Sequence, residues 1–264
     1  MKIGFIGAGN MGSALAAAAS KSSLTPEIYL ADFDRNKAES VAAALGGKVG
    51  DNLTLVRECD FVFLGVKPQV LPEVMKEIAP EAAKRKDLTV VSMAAGISLE
   101  KLQKGLGFDL PLIRIMPNTP VLVEKGVIAY CSVNLKAGAE EAFVSVLEKA
   151  GFVSKLEESK IDAASALHGC GPAFVYLFIE ALADGAVSCG LPRDKALQFA
   201  AATVSGAAEM VLQTGKHPGE LKDNVCSPGG TTIEGVRTLE ENGFRGAAMD
   251  AVVAAYERTL ELGK

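Results

Sequence analysis

Histidine is nearly absent from this 264-residue chain, which holds two in all, His168 and His217. A multi-histidine metal centre or a Ser-His-Asp triad would have to draw on one of these two, so no metal site is expected. Both read as structural residues, His217 ahead of Pro218 at a helix-initiating turn and His168 in a glycine-rich bend. The five cysteines, Cys59, Cys131, Cys170, Cys189 and Cys226, are odd in number and form no C-x-x-C pair, which suggests neither a disulfide framework nor zinc. Basic surplus is missing too. A formal charge of -5 gives no field to hold a nucleic-acid backbone or an anionic leaflet. No run approaches the roughly 18 uninterrupted apolar residues that span a bilayer, so no membrane partner is expected. The opening MKIGFIGAGNMG enters a strand-like run and a glycine loop directly, without a signal-peptide pattern, and a cytoplasmic protein is expected.

What is present is an ordinary globular composition, 49% apolar and 22% charged, with a surplus of glycine at 27 residues. Apolar runs at 2–6, 28–31, 61–66, 88–93, 112–116 and 127–131 alternate with helical periodicity at 11–22, 36–45, 70–78 and 98–104. A helix at 140–150 and a short strand at 152–154 close this half. Such alternation means βαβ units and a parallel sheet. From about residue 158 the period becomes helical, over 160–167, 173–189, 193–214, 232–242 and 246–262, with breakers at Gly190-Leu191-Pro192, His217-Pro218-Gly219 and Ser227-Pro228-Gly229-Gly230. Two domains are expected, an α/β dinucleotide-binding domain over 1–157 and an all-α domain over 158–264. The long helices 173–189 and 195–211 carry few charges and imply a buried homodimer interface.

Three motifs carry chemistry. Gly7-Ala8-Gly9-Asn10-Met11-Gly12 satisfies G-x-G-x-x-G between an expected strand and an expected helix, and Asp32 lies twenty residues beyond Gly12. Gly7 permits the tight turn, Gly9 lets backbone approach a pyrophosphate, and Gly12 lets the helix pack on the strand. Asp32 would accept adenosine ribose hydroxyls, as for NADH, whereas Arg35 could pair with the 2′-phosphate of NADPH. The second motif, Gly65-Val66-Lys67-Pro68, ends a buried strand and brings Lys67 to the cofactor crevice. On the same edge Ala94-Ala95-Gly96 gives a flat wall for a nicotinamide, and Asn118 in Met116-Pro117-Asn118-Thr119-Pro120 offers an amide donor and acceptor. The third is Ser227-Pro228-Gly229-Gly230-Thr231-Thr232. Thr231 with Glu234 fits a capping box. The alternative is an anion site, made by the N–H groups of Gly230, Thr231 and Thr232 with the hydroxyls of Ser227, Thr231 and Thr232, for a substrate carboxylate.

With these residues the chain resembles the pyrroline-5-carboxylate reductases over essentially its whole length. The resemblance rests on FIGAGNMG, VKP at 66–68, MPNTP at 116–120, GPAF at 171–174, HPGELKDNVCSPGGTT at 217–232 and GFR at 243–245. It implies a Rossmann domain followed by a helical domain that dimerises, with assembly beyond the dimer left open. It also implies that NADPH or NADH is held by Ile6 to Met11, Asn52 and Gly65 to Pro68. The substrate 1-pyrroline-5-carboxylate would be held by Ser227 and Gly230 to Thr232, with Thr232 the proton donor to the ring nitrogen and L-proline the product. The two loops are expected to face each other across the hydride-transfer site. The run His168-Gly169-Cys170-Gly171 departs from the family's frequent Ser-Gly-Ser-Gly.

A β-hydroxyacid dehydrogenase shares the glycine opening and a helical second domain, but its chemistry leans on a lysine in the first long helix of that domain. Between Ile161 and Asp194 this chain has no lysine. An inactive nucleotide sensor is the other alternative, and the intact SPGGTT loop weighs against it.

Overall fold

The computed structural model describes residues 1–262, so the last two residues of the expected 158–264 domain, Gly263 and Lys264, lie outside the described residues. The chain divides into two compact units, Met1–Gly169 with Ala255–Lys264, and Cys170–Ala254.

The first unit is built on a sheet of eight strands: β1 Lys2–Ile6, β2 Glu27–Ala31, β3 Lys48–Val49, β4 Phe61–Leu64, β5 Thr89–Ser92, β6 Leu112–Pro117, β7 Gly126–Val133 and β8 Gly151–Lys155. Their order is β3-β2-β1-β4-β5-β6-β7-β8, parallel except where β7 runs antiparallel to β6. The first six follow the 3-2-1-4-5-6 order of dinucleotide-binding folds. Side chains alternate across the sheet as strand geometry requires. Ile3, Phe5, Phe61 and Phe63 enter one core with Leu15, Leu30 and Phe143, whereas Val62 and Leu64 enter the other with Leu55, Ile78 and Leu102. Phe5 and Phe63 stack at 4.7 Å between ring centres.

The helices between strands are α1 Asn10–Ser20, α2 Arg35–Leu45, α3 Asn52–Glu58, α4 Leu71–Ala82 and α5 Leu99–Leu106, with α6 Ala139–Val146 preceding β8. Asp34 caps α2 by accepting from the N–H groups of Asn36 and Lys37, and Gly46 ends it at φ +65°. Two elements here had no counterpart in the periodicity. Strand β3 is two residues long, and α3 is a seven-residue helix started by the Asp51 carboxylate on the Thr54 N–H.

The first unit runs past Glu157 because a buried cation holds the next helix, α7 Glu158–Ala164, to the sheet. Arg114 on β6 is 3% exposed; its Nη2 lies 2.6 Å from Asp162 Oδ1 and its Nη1 3.5 Å from Glu158 Oε1. The same Glu158 Oε1 accepts the Leu99 N–H, capping α5 from outside. A single π-helical turn, Ser165–Gly169, follows.

The second unit is helical, with α8 Gly171–Ser188, α9 Arg193–Thr214, α10 Pro218–Val225, α11 Thr231–Glu241 and the larger part of α12 Phe244–Leu262. Helix α9 spans the expected residues without change. Helix α10 was absent from the periodic segments, but its start is where His217 was expected to initiate a helix: His217 Nδ1 accepts the Gly219 N–H ahead of Pro218. The helical run Glu158–Ser188 contains a stretch long and apolar enough to cross a membrane by length and composition, with mean hydropathy 1.4. No uninterrupted apolar run approaches that length, since charges such as Glu180 and Asp184 break the stretch and only a window average absorbs them.

Candidate functional site

In the first unit the glycine turn is fixed from both sides. Gly7 has φ +104°, its N–H donates to Ala31 O at 2.7 Å, and a Cβ there would lie 2.7 Å from the Gly65 backbone. A Cβ on Gly12 would lie 2.0 Å from Gly7 O, so glycine is what lets α1 start against the end of β1. Gly9 is different. Nothing lies within 4 Å of the Cβ it lacks, and it stands at the helix start with no side-chain cap. The first-turn amides of α1 are thereby left for an anion.

The turn opens on a cleft of about 820 Å³ that brings together Ile6, Gly7, Gly9, Asp32, Arg35, Asn52, Gly65, Val66 and Lys67 from separate stretches of sequence. Its size and its glycine floor fit an extended dinucleotide. Asp32, just past β2, accepts the Ala8 N–H on Oδ2 at 2.7 Å and the Asp34 N–H on Oδ1 at 2.9 Å. Arg35 is turned to Glu39, 2.9 Å away, and Asn52 Nδ2 donates to Glu77 Oε2 at 2.8 Å. The cleft also takes in Phe33, Lys37, Asp51, Glu73 and Glu77, which the motifs did not reveal. They belong to the α2 start, the short α3 and the outer face of α4, and the last two of these carry no motif. Asp51 has its carboxyl held below its ordinary range by the bonds it accepts from Thr54.

Other expected residues lie apart from the cleft lining. Ala8, Gly12 and Ala94 are buried, Asn10 and Ala95 are exposed, and Met11, Pro68 and Gly96 are half-buried. Asn118 is 6% exposed and engaged on both sides of its amide: Nδ2 donates to His168 O at 2.9 Å and Oδ1 accepts the Val127 N–H at 2.8 Å. Its place in the structure is that of a tie between the turn after β6, strand β7 and the π-helical turn.

In the second unit Ser227 to Gly230 form a β-turn closed by Gly230 N–H to Ser227 O at 3.0 Å, with Pro228 in second place and Gly229 at φ +66° in third. A Cβ at position 230 would stand 2.3 Å from Ser227 Oγ, so a side chain there would turn the serine hydroxyl away. Two expectations change here. The Gly230 amide is used by the turn, which leaves those of Thr231 and Thr232 for an anion. The capping box does not form: Gly230 is the N-cap of α11, with no side-chain cap, and Glu234 accepts instead from Arg237 at 3.0 and 3.1 Å. Ser227 and Thr231 are exposed and Thr232 is half-buried.

Comparison with known proteins covers both units. Residues 2–96 match the family model described as NADP oxidoreductase coenzyme F420-dependent, and residues 158–262 match the one described as pyrroline-5-carboxylate reductase dimerisation. A pyrroline-5-carboxylate reductase from Glycine max is 45% identical, over 98% of this chain and 95% of its own length. Among solved structures, a pyrroline-5-carboxylate reductase from Coxiella burnetii aligns with TM-score 0.93 at 31% identity, over 99% of this chain and 98% of that one. The pyrroline carboxylate reductase of Plasmodium falciparum, solved with NADP bound, gives TM-score 0.85 at 33% identity, over 100% and 98%.

Proposed function

The chain belongs to the pyrroline-5-carboxylate reductase family, and from that membership we propose the residues with which it reduces the C=N bond of 1-pyrroline-5-carboxylate to L-proline. It is an NAD(P)H-dependent oxidoreductase of proline biosynthesis. The bound dinucleotide supplies the hydride. The first-turn amides of α1 and the open position at Gly9 hold its pyrophosphate, with Gly65 to Lys67 beside them and Ala94 to Gly96 toward the nicotinamide.

The observation that carries the substrate assignment is the turn at Ser227 to Gly230, which delivers an uncapped helix start. The substrate carboxylate accepts from the Thr231 and Thr232 amides and from the hydroxyls of Ser227 and Thr231, with Gly230 keeping the approach free of side chains. The Thr232 hydroxyl holds a proton at the ring nitrogen. A cyclic imine is basic enough near neutral pH that a hydrogen bond suffices, which accords with two histidines engaged in structural bonds. Positioning is then the main contribution of the protein.

We place the dimer interface in 158–264, supported by the match to the dimerisation family and by exposed apolar side chains such as Tyr176, Leu177 and Phe199. Burial of the apolar run Glu158–Ser188 against a second copy accounts for its hydropathy without a bilayer. The cytoplasm is the proposed compartment, supported by five unpaired cysteines.

The test follows near-ultraviolet absorbance of the reduced nicotinamide with purified protein and 1-pyrroline-5-carboxylate. The expected outcome is oxidation by wild type, and a Thr232→Ala variant with kcat lowered roughly 10- to 100-fold while dinucleotide affinity stays within about 3-fold. An unchanged kcat removes Thr232 from proton delivery.

A further inference from the structure

The adenosine side of the cleft carries a choice between the two dinucleotides. NADPH differs from NADH by one phosphate on the adenosine ribose, and a Rossmann domain meets that position just past β2. Here the residue is Asp32. Its carboxylate is held in place by two backbone donors, Ala8 N–H at 2.7 Å and Asp34 N–H at 2.9 Å, one on each oxygen. Each oxygen keeps a lone pair for a ribose hydroxyl, while a phosphate dianion beside it would be repelled.

The surroundings point the same way. Asp51, Glu73 and Glu77 line the cleft with Asp32, against Arg35 and Lys37 on the α2 start and Lys67 after β4. Lys67 follows β4, on the opposite side of β1 from Asp32. Arg35, the cation best placed in sequence to meet a 2′-phosphate, is drawn to Glu39 at 2.9 Å. Phe33 lines the cleft with its side chain fully exposed, an apolar face for the adenine that both dinucleotides share.

We propose that this chain discriminates in favour of NADH, with Asp32 fixed by the Ala8 and Asp34 amides as the residue that admits the free ribose and rejects its 2′-phosphate. The proposal rests on the reductase reading above. Phe33 adds affinity without discrimination, and Arg35 with Lys37 are cations that would serve a phosphate once the carboxylate is gone.

Dissociation constants for NADH and NADPH, read from the fluorescence of the reduced nicotinamide, test this without turnover. Displacement of NADH by 5′-AMP or by adenosine 2′,5′-bisphosphate isolates the adenosine end. Wild type is expected to bind NADH at least about 10-fold tighter than NADPH and to be displaced more readily by 5′-AMP. Asp32→Ser is expected to shift the NADH-to-NADPH ratio toward NADPH by at least about 10-fold, and adding Arg35→Ala and Lys37→Ala to it should reverse most of that shift. Phe33→Ala should weaken both dinucleotides by a similar factor. Because Asp32→Ser also removes a bond to the glycine turn, the ratio and not either constant is the readout. Equal or tighter binding of NADPH by wild type, or an unmoved ratio in Asp32→Ser, overturns the proposal. Failure to reduce 1-pyrroline-5-carboxylate with either dinucleotide would overturn the reductase reading instead.

Discussion

The side-chain amide of Asn118 donates to the carbonyl of His168 at 2.9 Å, and the His168 ring returns a bond to the carbonyl of Met116 at 2.8 Å, closing a loop between the end of β6 and the π-helical turn. Since a carbonyl only accepts, His168 Nε2 carries the hydrogen. With Val127 N–H on its oxygen, Asn118 satisfies polar groups from two elements, β7 and the π-helical turn, while itself 6% exposed.

Asn118→Ala therefore strands the part-buried Val127 N–H and His168 C=O, at a cost of roughly 2–4 kcal/mol. For a chain of this size that is about 4–12 °C in Tm. Calorimetry and steady-state kinetics together check it. A lowered Tm with an unaltered KM supports the tie, whereas a raised KM at unchanged Tm would return Asn118 to the substrate.

The glycine turn gives two variants with opposite signatures. Gly12→Ala puts a methyl 2.0 Å from Gly7 O, which is backbone and cannot step aside, so α1 must shift. Both Tm and dinucleotide affinity are expected to fall, the latter by more than about 10-fold. Gly9→Ala meets nothing in the free protein and should leave Tm within about 2 °C while weakening the dinucleotide by a similar factor. Fluorescence titration with either reduced dinucleotide measures the affinities. A Gly9→Ala variant that binds normally would mean that the pyrophosphate does not approach there.

How much of this was legible in the sequence depends on the range of the interactions. The β1 turn and α1 were readable because every determinant lies within a dozen residues, and α9 because a 22-residue periodic helix ended by Gly215 tolerates no other reading. Helix α3 was not, and of α10 only the initiating turn at His217 was, because each is set by one cap, Asp51 or His217, over seven or eight residues. The bonds of Asn118 could not be foreseen, because its partners sit 9 and 50 residues away, beyond any local pattern. The capping box failed for a subtler reason: the helix starts one residue earlier than the motif assumes, so Gly230, not Thr231, occupies the cap.

A pH dependence follows from Arg85 and Asp87. The guanidinium reaches Asp87 through Nε at 2.9 Å and Nη2 at 2.8 Å, and also donates to the carbonyls of Val56, Arg57 and Cys59. Its hydrogen bonds to Asp87 bring that carboxyl down from its usual value near 4 to about 2. A folded-state pKa below the unfolded one means stability that is fully present above about pH 4 and lost as pH falls toward about 2. Asp87 is 62% exposed, so solvent screening reduces the effect to less than about 1 kcal/mol. Asp87→Asn should lower Tm slightly at neutral pH and flatten its acid limb between about pH 4 and 2. Parallel curves for the two proteins would show that the pair does not couple folding to protons.

The helices of the second unit have little of their own to pack against. Along the 18 residues of α8 only Ala183 is buried, and along the 22 of α9 only Ala196 and Ala200. Meanwhile Leu177 is 69% exposed, Phe199 59% and Leu212 77%. Three alanines cannot offset the conformational entropy of ordering such helices, whereas a second copy covering the apolar side chains can. The expected consequence is a stability that depends on protein concentration, with Tm rising as the protein is concentrated and a dimer mass in light scattering at micromolar levels. Leu177→Asp with Phe199→Asp should lower the mass toward the monomer and the Tm with it. A monomeric wild type whose Tm ignores concentration would mean that these side chains are satisfied some other way.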